Sequence, residues 1–367
     1  MSMLFTQARI GSLEIPNRIV RSATAERLAD DTGVPLPELA TLLAELARGG
    51  AGLIIIGHMY VSTCGRAHPG MTGIADDSAI GVLGLVVDAV HDEGGLIAAQ
   101  LNHAGMKAAP DVASPYAPSD VHPPLAARPA TRLSDPQIHT IIASFACAAE
   151  RAVAAGFDAI QIHSAHGYLG SQFLSPATNR RADVWGGSPS SRMRFLQETC
   201  REVRDVVGPD YPLLVKLGMV DQLDGGLQLD VSLSLVERLA DFGIDALEIS
   251  GGISQGRSLN IRPVCEEAEE AYFREFARQA RERTDLPILV VGGLRSRPIM
   301  EDVLKAGDAD FISLCRPLVC EPDLPRRFEN RLQLRSSCVS GNRCWPEKAT
   351  DMGISCKCLS RPPKEVS

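Results

Sequence analysis

The sequence predicts a single (β/α)₈ barrel, the TIM-barrel fold. A local pattern recurs four times: a glycine follows an amphipathic stretch and leads into a short apolar segment, as at 156–163 and 243–250. Glycine suits the left-handed backbone that ends many helices, and a short apolar run is typical of a buried parallel strand. Eight such runs alternate with helical stretches, and no GxGxxG motif follows the first of them. These observations favour a barrel over the alternative, a doubly wound sheet.

The predicted elements alternate regularly along the chain. The strands are predicted at 19–23, 53–57, 96–101, 159–163, 213–217, 246–250, 288–292 and 311–314. The helices are predicted at 37–48, 80–93, 136–155, 189–207, 231–242, 267–283 and 298–306. Ser134 and Ser188 stand where N-capping residues are expected, each with a proline in the first helical turn.

Three connections that follow strands are long, namely 104–130, 167–187 and 251–265, and the first contains six prolines. Long loops at the carboxyl ends of barrel strands form substrate walls and lids. We expect one domain over 1–330, followed by a tail over 331–367. The tail contains four cysteines: Cys338, Cys344, Cys356 and Cys358.

The composition is that of an ordinary globular protein. Of 367 residues, 45% are hydrophobic and 22% are charged, which excludes a disordered chain. The net charge of −8 argues against a nucleic-acid-binding protein, which would need a basic surface. The longest apolar stretches, such as 53–56, are too short to cross a bilayer, and the first residues do not resemble a secretory signal. We therefore expect a cytoplasmic protein with no membrane partner.

Polar side chains follow the fourth predicted strand, at the end where barrel enzymes place their active sites. His163, His166 and Tyr168 put two imidazoles and a phenol within six residues. The alternative is that one histidine is a hydrogen-bonded core group and the tyrosine packs at an edge. Three such groups together favour a catalytic site.

Gln100 and Lys216 lie near the ends of the third and fifth predicted strands. A glutamine amide offers a donor and an acceptor together, which suits the edge of a heterocycle. The alternative is a hydrogen bond within the barrel. A lysine in an apolar strand needs an anionic partner, which is either a ligand or a carboxylate of the protein.

Glycine turns and arginines follow the last two predicted strands. Gly292, Gly293 and Arg295 come after the seventh strand, and Arg316 comes after the eighth. Barrels commonly bind phosphate here, with backbone N–H groups as the cradle and arginine as the clamp. The alternative is a plain tight turn. A phosphate site, a partner for the edge of a heterocycle and a polar pocket are together suited to binding flavin mononucleotide (FMN).

Longer motifs resemble the old yellow enzyme or NADH:flavin oxidoreductase family over nearly the whole chain. The matching motifs lie at 17–24, 100–105, 163–169, 173–176, 179–181, 186–189 and 313–318, with Arg192. The resemblance implies FMN at the barrel mouth and NADH or NADPH as the electron donor. The FMN-binding residues that it implies are Ser22, Ala23, Thr24, Gly57, Gln100, Lys216, Gly292, Gly293, Arg295, Cys315 and Arg316.

The implied reaction is the reduction of the C=C bond of an α,β-unsaturated carbonyl compound. Hydride would pass from NADH or NADPH through the flavin to the β-carbon. His163 and His166 would bind the carbonyl oxygen, and Tyr168 would protonate the α-carbon. Ala25 stands where some relatives have Cys or Thr, and an aromatic residue of the relatives is replaced near Arg27, so the substrate shape stays open. The expected partners are a small enone-type substrate and a possible second copy of the chain.

The tail resembles a four-cysteine iron–sulfur motif of the dienoyl-CoA reductase and trimethylamine dehydrogenase group, with Gly341 in place of one cysteine. We therefore expect no intact cluster of that type and assign no metal-binding residue; zinc at the four tail cysteines is chemically allowed, although their spacings match no common zinc pattern. The alternative is an electron-transfer enzyme with FMN and an iron–sulfur centre. An alternative of another class is a barrel lyase that forms a Schiff base on Lys216. A third is a non-catalytic flavin- or phosphate-binding protein.

Overall fold

A computed structural model describes residues 2–121, 126–253, 259–346 and 353–357. Eight parallel strands form a closed barrel, as predicted. They are β1 (Ile19–Arg21), β2 (Leu53–Ile55), β3 (Ile97–Asn102), β4 (Ala159–Ser164), β5 (Leu213–Gly218), β6 (Ala246–Ser250), β7 (Ile288–Val290) and β8 (Phe311–Leu314). Each strand pairs with the next along the chain, and β8 pairs with β1, so that the sheet closes on itself.

Helices surround the barrel and fill the connections between strands. In the described ranges they are α1 (Pro37–Arg48), α2 (Ala79–His91), α3 (Asp135–Ala154), α4 (Leu169–Leu174), α5 (Pro189–Val207), α6 (Leu229–Val236), α7 (Arg274–Arg281), α8 (Arg297–Lys305), α9 (Arg316–Cys320) and α10 (Leu324–Glu329). α1 and α5 have the predicted bounds. At α5 the Ser188 hydroxyl accepts a hydrogen bond from the Ser191 N–H at 3.0 Å, as an N-cap should.

The predicted helix at 267–283 is wrong in its first half, because α7 begins only at Arg274. Ala271 has a left-handed backbone, with φ of 55°, which interrupts a helix. The residue before it, Glu270, turns its carboxylate away from the helix. Glu270 Oε2 accepts hydrogen bonds from two consecutive backbone N–H groups that begin with Arg295, at 2.7 and 2.8 Å. A tertiary contact therefore overrides the local helical pattern.

A hairpin that was not predicted, Ala8–Ile10 with Leu13–Ile15, packs under the barrel. Its Ile10 and Ile15 are fully buried in an apolar cluster inside the lower half of the barrel. The other fully buried members of this cluster are Val20, Leu53, Ile55, Ala98, Ala159, Leu214, Ala246, Leu289 and Phe311. The barrel interior is therefore a packed core at this end.

The described part of the tail lies against the mouth of the barrel. Arg295 Nη1 donates to the Cys338 carbonyl oxygen at 2.7 Å, and Trp345 Nε1 donates to the Ala25 carbonyl oxygen at 3.1 Å. Cys344 and Cys338 are buried, and burial raises the pKa of the Cys344 thiol to about 12. In these described residues no group of three or more His, Cys, Asp or Glu is arranged to hold a metal ion. Cys358 lies outside them.

None of the helices in the described ranges is long and apolar enough to cross a membrane.

Candidate active site

The predicted catalytic residues come together where β4 ends. His163 is the fifth residue of β4, and the chain then turns at His166, whose φ is 60°. This turn places the His163 ring centroid 5.1 Å from that of His166 and 5.1 Å from that of Tyr168. Tyr168 then precedes α4 as its N-terminal capping residue. A left-handed non-glycine residue is strained and is common at functional sites.

The histidines of this cluster are uncharged at neutral pH. Burial is the main cause that holds the pKa of His163 and of His166 well below 6.5. His163 Nδ1 accepts a hydrogen bond from the Ala165 N–H at 3.2 Å, so the ring proton is on Nε2. His166 Nε2 lies 2.7 Å from the Ser250 hydroxyl at the end of β6. Burial also raises the pKa of Tyr168 to about 12, which keeps its phenol protonated.

A second histidine pair, which the sequence reasoning missed, lies beside Tyr168. The His58 ring centroid is 4.9 Å from that of Tyr168. His68 Nδ1 lies 2.9 Å from the Pro69 carbonyl oxygen, which can only accept, so His68 Nδ1 carries the proton. His58 Nε2 must then donate to His68 Nε2 at 3.3 Å, and Asn102 Nδ2 donates to His58 Nδ1 at 2.9 Å. Burial lowers the pKa of His68 to about 4.

Polar side chains form a connected layer across the barrel interior, just under the mouth. Gln100 Nε2 donates to Gln161 Oε1 at 2.6 Å, and Gln161 Nε2 donates to Glu248 Oε2 at 2.9 Å. Ser22 Oγ donates to Glu248 Oε1 at 2.7 Å. Lys216 Nζ donates to Ser22 Oγ at 2.7 Å and lies 3.2 Å from Glu248 Oε1. All five side chains are buried.

Within this layer Gln100 and Lys216 bind other side chains of the protein. These contacts are the structural alternatives to a ligand-binding role for the two residues. Their positions at the barrel mouth also remain suitable for a flavin ring, so the two roles are compatible. Gln161 and Glu248 were missed, although both are polar residues within apolar strands. That pattern, the same one that drew attention to Lys216, was the signal that could have found them.

A buried ion pair lies among the other predicted residues near β1 and β2. Arg21 lies 2.8 Å from Glu26, and Glu26 Oε1 accepts a hydrogen bond from the Gly57 N–H at 2.9 Å. A Cβ atom on Gly57 would approach Glu26 Oε2 to 1.9 Å. Thr24 Oγ1 contacts Cys315 Sγ at 3.0 Å, and Ala23, which is half-buried, presents only a methyl group. The ends of β1, β2 and β8 therefore meet at one side of the mouth.

The predicted phosphate residues line one pocket between the ends of β7 and β8. Its lining includes Gly292, Gly293, Arg295, Cys315 and Arg316. The two glycines have φ of 130° and 71°. A Cβ atom on Gly293 would come within 2.8 Å of the neighbouring Tyr272 ring, so only glycine leaves this cradle open.

The polar groups of this pocket suit a phosphate. Ser313 Oγ and Arg295 Nε are buried with no hydrogen-bond partner among the described residues. Arg316 is held at the pocket by backbone, because its Nη2 donates to the Arg262 carbonyl oxygen at 3.0 Å. The backbone N–H of Arg295, in contrast, is taken by Glu270, so this N–H does not belong to the cradle. The residues present fit FMN, with the phosphate at β7 and β8 and the histidine cluster across the mouth.

The profile of the NADH:flavin oxidoreductase / NADH oxidase family matches residues 3–335. The chain is 33% identical over 344 residues to the NADH oxidase of Thermoanaerobacter brockii, a match that covers 92% of this chain and 52% of that protein. It is 33% identical over 383 residues to the 4,4'-dithiodibutanoate disulfide reductase of Rhodococcus erythropolis, covering 94% and 92%. The solved structure of the old yellow enzyme homologue from Zymomonas mobilis matches with a TM-score of 0.80 at 29% identity, covering 91% and 94%.

The chain thus spans about half the length of the first of these relatives and almost all of the other two. The family match also gives the Schiff-base lyase no support, in agreement with the ion pair that occupies Lys216. These findings show that the chain belongs to the NADH:flavin oxidoreductase / NADH oxidase family and shares the fold of an old yellow enzyme homologue.

Proposed function

We propose that this enzyme reduces the activated C=C bond of α,β-unsaturated carbonyl compounds. The observation that carries the proposal is the cluster of His163, His166 and Tyr168 at the barrel mouth. Bound FMN would supply the hydride chemistry that these side chains cannot perform. Each turnover would consume one NADH or NADPH and one proton, and would saturate one C=C bond.

The two histidines would polarise the substrate. Negative charge develops on the carbonyl oxygen as the β-carbon receives hydride, and a fixed N–H donor stabilises this charge more in the transition state than in the ground state. The Nε2–H of His163 is such a donor, because its Nδ1 is already occupied by the Ala165 N–H. His166 would act beside it, held in place by Ser250.

Tyr168 would donate the proton to the α-carbon. Its pKa of about 12 means that the phenol carries its proton throughout the neutral range. Its hydroxyl makes no hydrogen bond to another described residue, so no protein acceptor within these residues competes for that proton. A positioned acid of this kind typically contributes about 10²–10⁴-fold to a rate.

The test separates the two half-reactions of the Tyr168→Phe variant by stopped-flow spectroscopy. Reduction by NADH or NADPH should stay near the parent rate, because it needs no proton from Tyr168. Reoxidation by cyclohexenone should slow by about 10²-fold or more. Tyr211→Phe is the matched control, since Tyr211 donates to a backbone oxygen at the opposite end of the barrel. Reoxidation of Tyr168→Phe at the parent rate would remove the tyrosine from this role.

Disulfide reduction is a second candidate, because the Rhodococcus erythropolis relative that matches over 92% of its length is named for it. One NAD(P)H and one proton would convert a disulfide to two thiols. Mixing the reduced enzyme with 4,4'-dithiodibutanoate in the same stopped-flow experiment distinguishes the two substrates by their reoxidation rates.

The finer sequence-based expectations remain part of the proposal. They are a barrel domain over 1–330 with a tail over 331–367, a cytoplasmic location, a possible homo-oligomer and the absence of a bound metal. The alternative function, an electron-transfer enzyme with an iron–sulfur centre, is tested by measuring the iron and sulfide content of the purified protein.

A further inference from the structure

Two cationic side chains near the cluster around Tyr168 have no carboxylate partner among the described residues. Lys107 Nζ is 5.2 Å from the centroid of the Tyr168 ring and donates to the His166 carbonyl oxygen at 2.9 Å. Arg27, in the loop after β1, is close enough to the cluster for its positive charge to lower the pKa values of His58, His68 and Tyr168. Arg27 Nε is buried without a hydrogen-bond partner among the described residues.

The lack of a carboxylate distinguishes these two cations from others near the barrel mouth. Arg21 is paired with Glu26, and Lys216 is paired with Glu248. In the described part of the chain, no Asp or Glu lies within ion-pair distance of Lys107 or Arg27. Lys107 and Arg27 are each half-buried, and a cation that has lost part of its hydration without gaining a counter-charge is destabilised. Such a site gains most from a ligand that brings the missing negative charge.

The neighbouring groups do not cancel this charge. The four histidines around Tyr168 are His58, His68, His163 and His166, and burial keeps each of them neutral at pH 7. Tyr168 is neutral as well. Burial lowers the pKa of Lys107 to about 8, which still leaves it mostly cationic at pH 7. At neutral pH the two cations therefore leave the surroundings of the catalytic cluster with a net positive charge.

We propose that the substrate carries a carboxylate in addition to its unsaturated carbonyl group, and that Lys107 and Arg27 bind this carboxylate. This inference rests on the proposed function, because it places the C=C bond at His163 and Tyr168. A charge-assisted contact to each cation would fix the substrate at a second point. The same cations could bind a phosphate of the nicotinamide nucleotide, so the test has to separate the two anions.

The test compares one enone in two forms, (E)-6-oxohept-4-enoate and its methyl ester. Two methylene groups separate the carboxylate from the C=C bond, so both forms have nearly the same intrinsic reactivity. At pH 7 the parent enzyme, reduced beforehand, should be reoxidised by the carboxylate with a second-order rate constant about tenfold or more above that of the ester. Added salt should reduce this preference.

The variants assign the preference to the two cations. Lys107→Met and Arg27→Met should each reduce the ratio of carboxylate to ester by about tenfold, whereas Lys107→Arg should preserve it. Lys305→Met makes the same chemical change on the exposed face of α8 and should leave the ratio unchanged. An unchanged ratio in both methionine variants overturns the proposal. The proposal is also overturned if the substitutions change only the rate of flavin reduction by NADPH or NADH, since the bound anion would then be a phosphate of the nucleotide.

A binding measurement keeps this proposal separate from the proposed function. Equilibrium titration of the oxidised holoenzyme with 6-oxoheptanoate and its methyl ester, neither of which has a C=C bond, gives two dissociation constants. Tighter binding of the carboxylate, lost in Lys107→Met, supports the anion site even if neither enone is reduced. Equal binding of acid and ester refutes it even if both enones are reduced.

Discussion

The ion pair between Lys216 and Glu248 inside the barrel makes a strong prediction about stability. Glu248 is completely buried, lies 3.2 Å from Lys216 Nζ, and accepts hydrogen bonds from Ser22 and Gln161 at 2.7 and 2.9 Å. Glu248→Leu would leave the ammonium of Lys216, whose side chain is 3% exposed, without a counter-charge. Removal of one partner of a buried pair typically costs about 3–5 kcal/mol of unfolding free energy.

The double variant distinguishes an ion pair from two independent packing sites. In Lys216→Met/Glu248→Leu neither charge remains, and replacing both partners by apolar groups is often nearly neutral. The double variant should therefore be more stable than Glu248→Leu alone, with a coupling energy of about 2 kcal/mol or more. Urea unfolding of the apoprotein, followed by far-ultraviolet circular dichroism, measures it without the contribution of FMN binding.

The exposed pair of Glu275 and Arg278 on α7 supplies the matched control, because surface ion pairs contribute little. The same two substitutions, Glu275→Leu and Arg278→Met, should show almost no coupling. If the effects of Lys216→Met and Glu248→Leu simply add, the two residues are not energetically paired, and the polar layer is not the unit described above.

Two further predictions concern the cofactor and pH. Arg316→Ala should lose FMN during dialysis, while Arg316→Lys should retain more of it, because the guanidinium lies at the glycine cradle of β7 and β8. Equal FMN content in the parent protein and both variants excludes Arg316 from the site. Acid should destabilise the fold below about pH 6.5, because burial lowers the pKa values of five histidines, namely His58, His68, His103, His163 and His166. Below that pH the unfolded chain binds protons that the folded chain does not. The free energy of unfolding should therefore fall with decreasing pH by up to about 1.4 kcal/mol per histidine per pH unit. A urea unfolding midpoint that is no lower at pH 5 than at pH 7 contradicts this prediction.

The periodic part of the fold was predictable because its signals are local. Each strand is a short apolar run, four of them shortly after a glycine, and α1 and α5 carry prolines at their first positions, so their bounds could be read from the sequence. The start of α7 could not be predicted, because the Glu270 carboxylate accepts hydrogen bonds from backbone N–H groups that begin 25 residues further along the chain. The hairpin at Ala8–Ile10 was missed because its strands are only three residues long.

The candidate site also has a part that was predictable from the sequence and a part that was not. His163, His166 and Tyr168 could be found because they are close in sequence and follow one strand. His58, Lys107 and Arg27 reach the same place from three other connections, and no spacing rule links residues that far apart. The roles proposed for them depend on burial and on the lack of a nearby carboxylate among the described residues, which only a three-dimensional arrangement defines.

The apolar lower half of the barrel determines where protons can come from. Ile10 and Ile15 of the hairpin seal this half, and the side chains of the cluster above them are fully buried. Close packing of this kind opposes the passage of water from below, and the polar layer of Gln100, Lys216 and Glu248 lies above it. If Tyr168 gives up a proton as proposed, its replacement would therefore arrive from the mouth, by the same route as the substrate. Reprotonation of the enzyme would then be tied to product release, and a product that stays bound at the mouth would delay both.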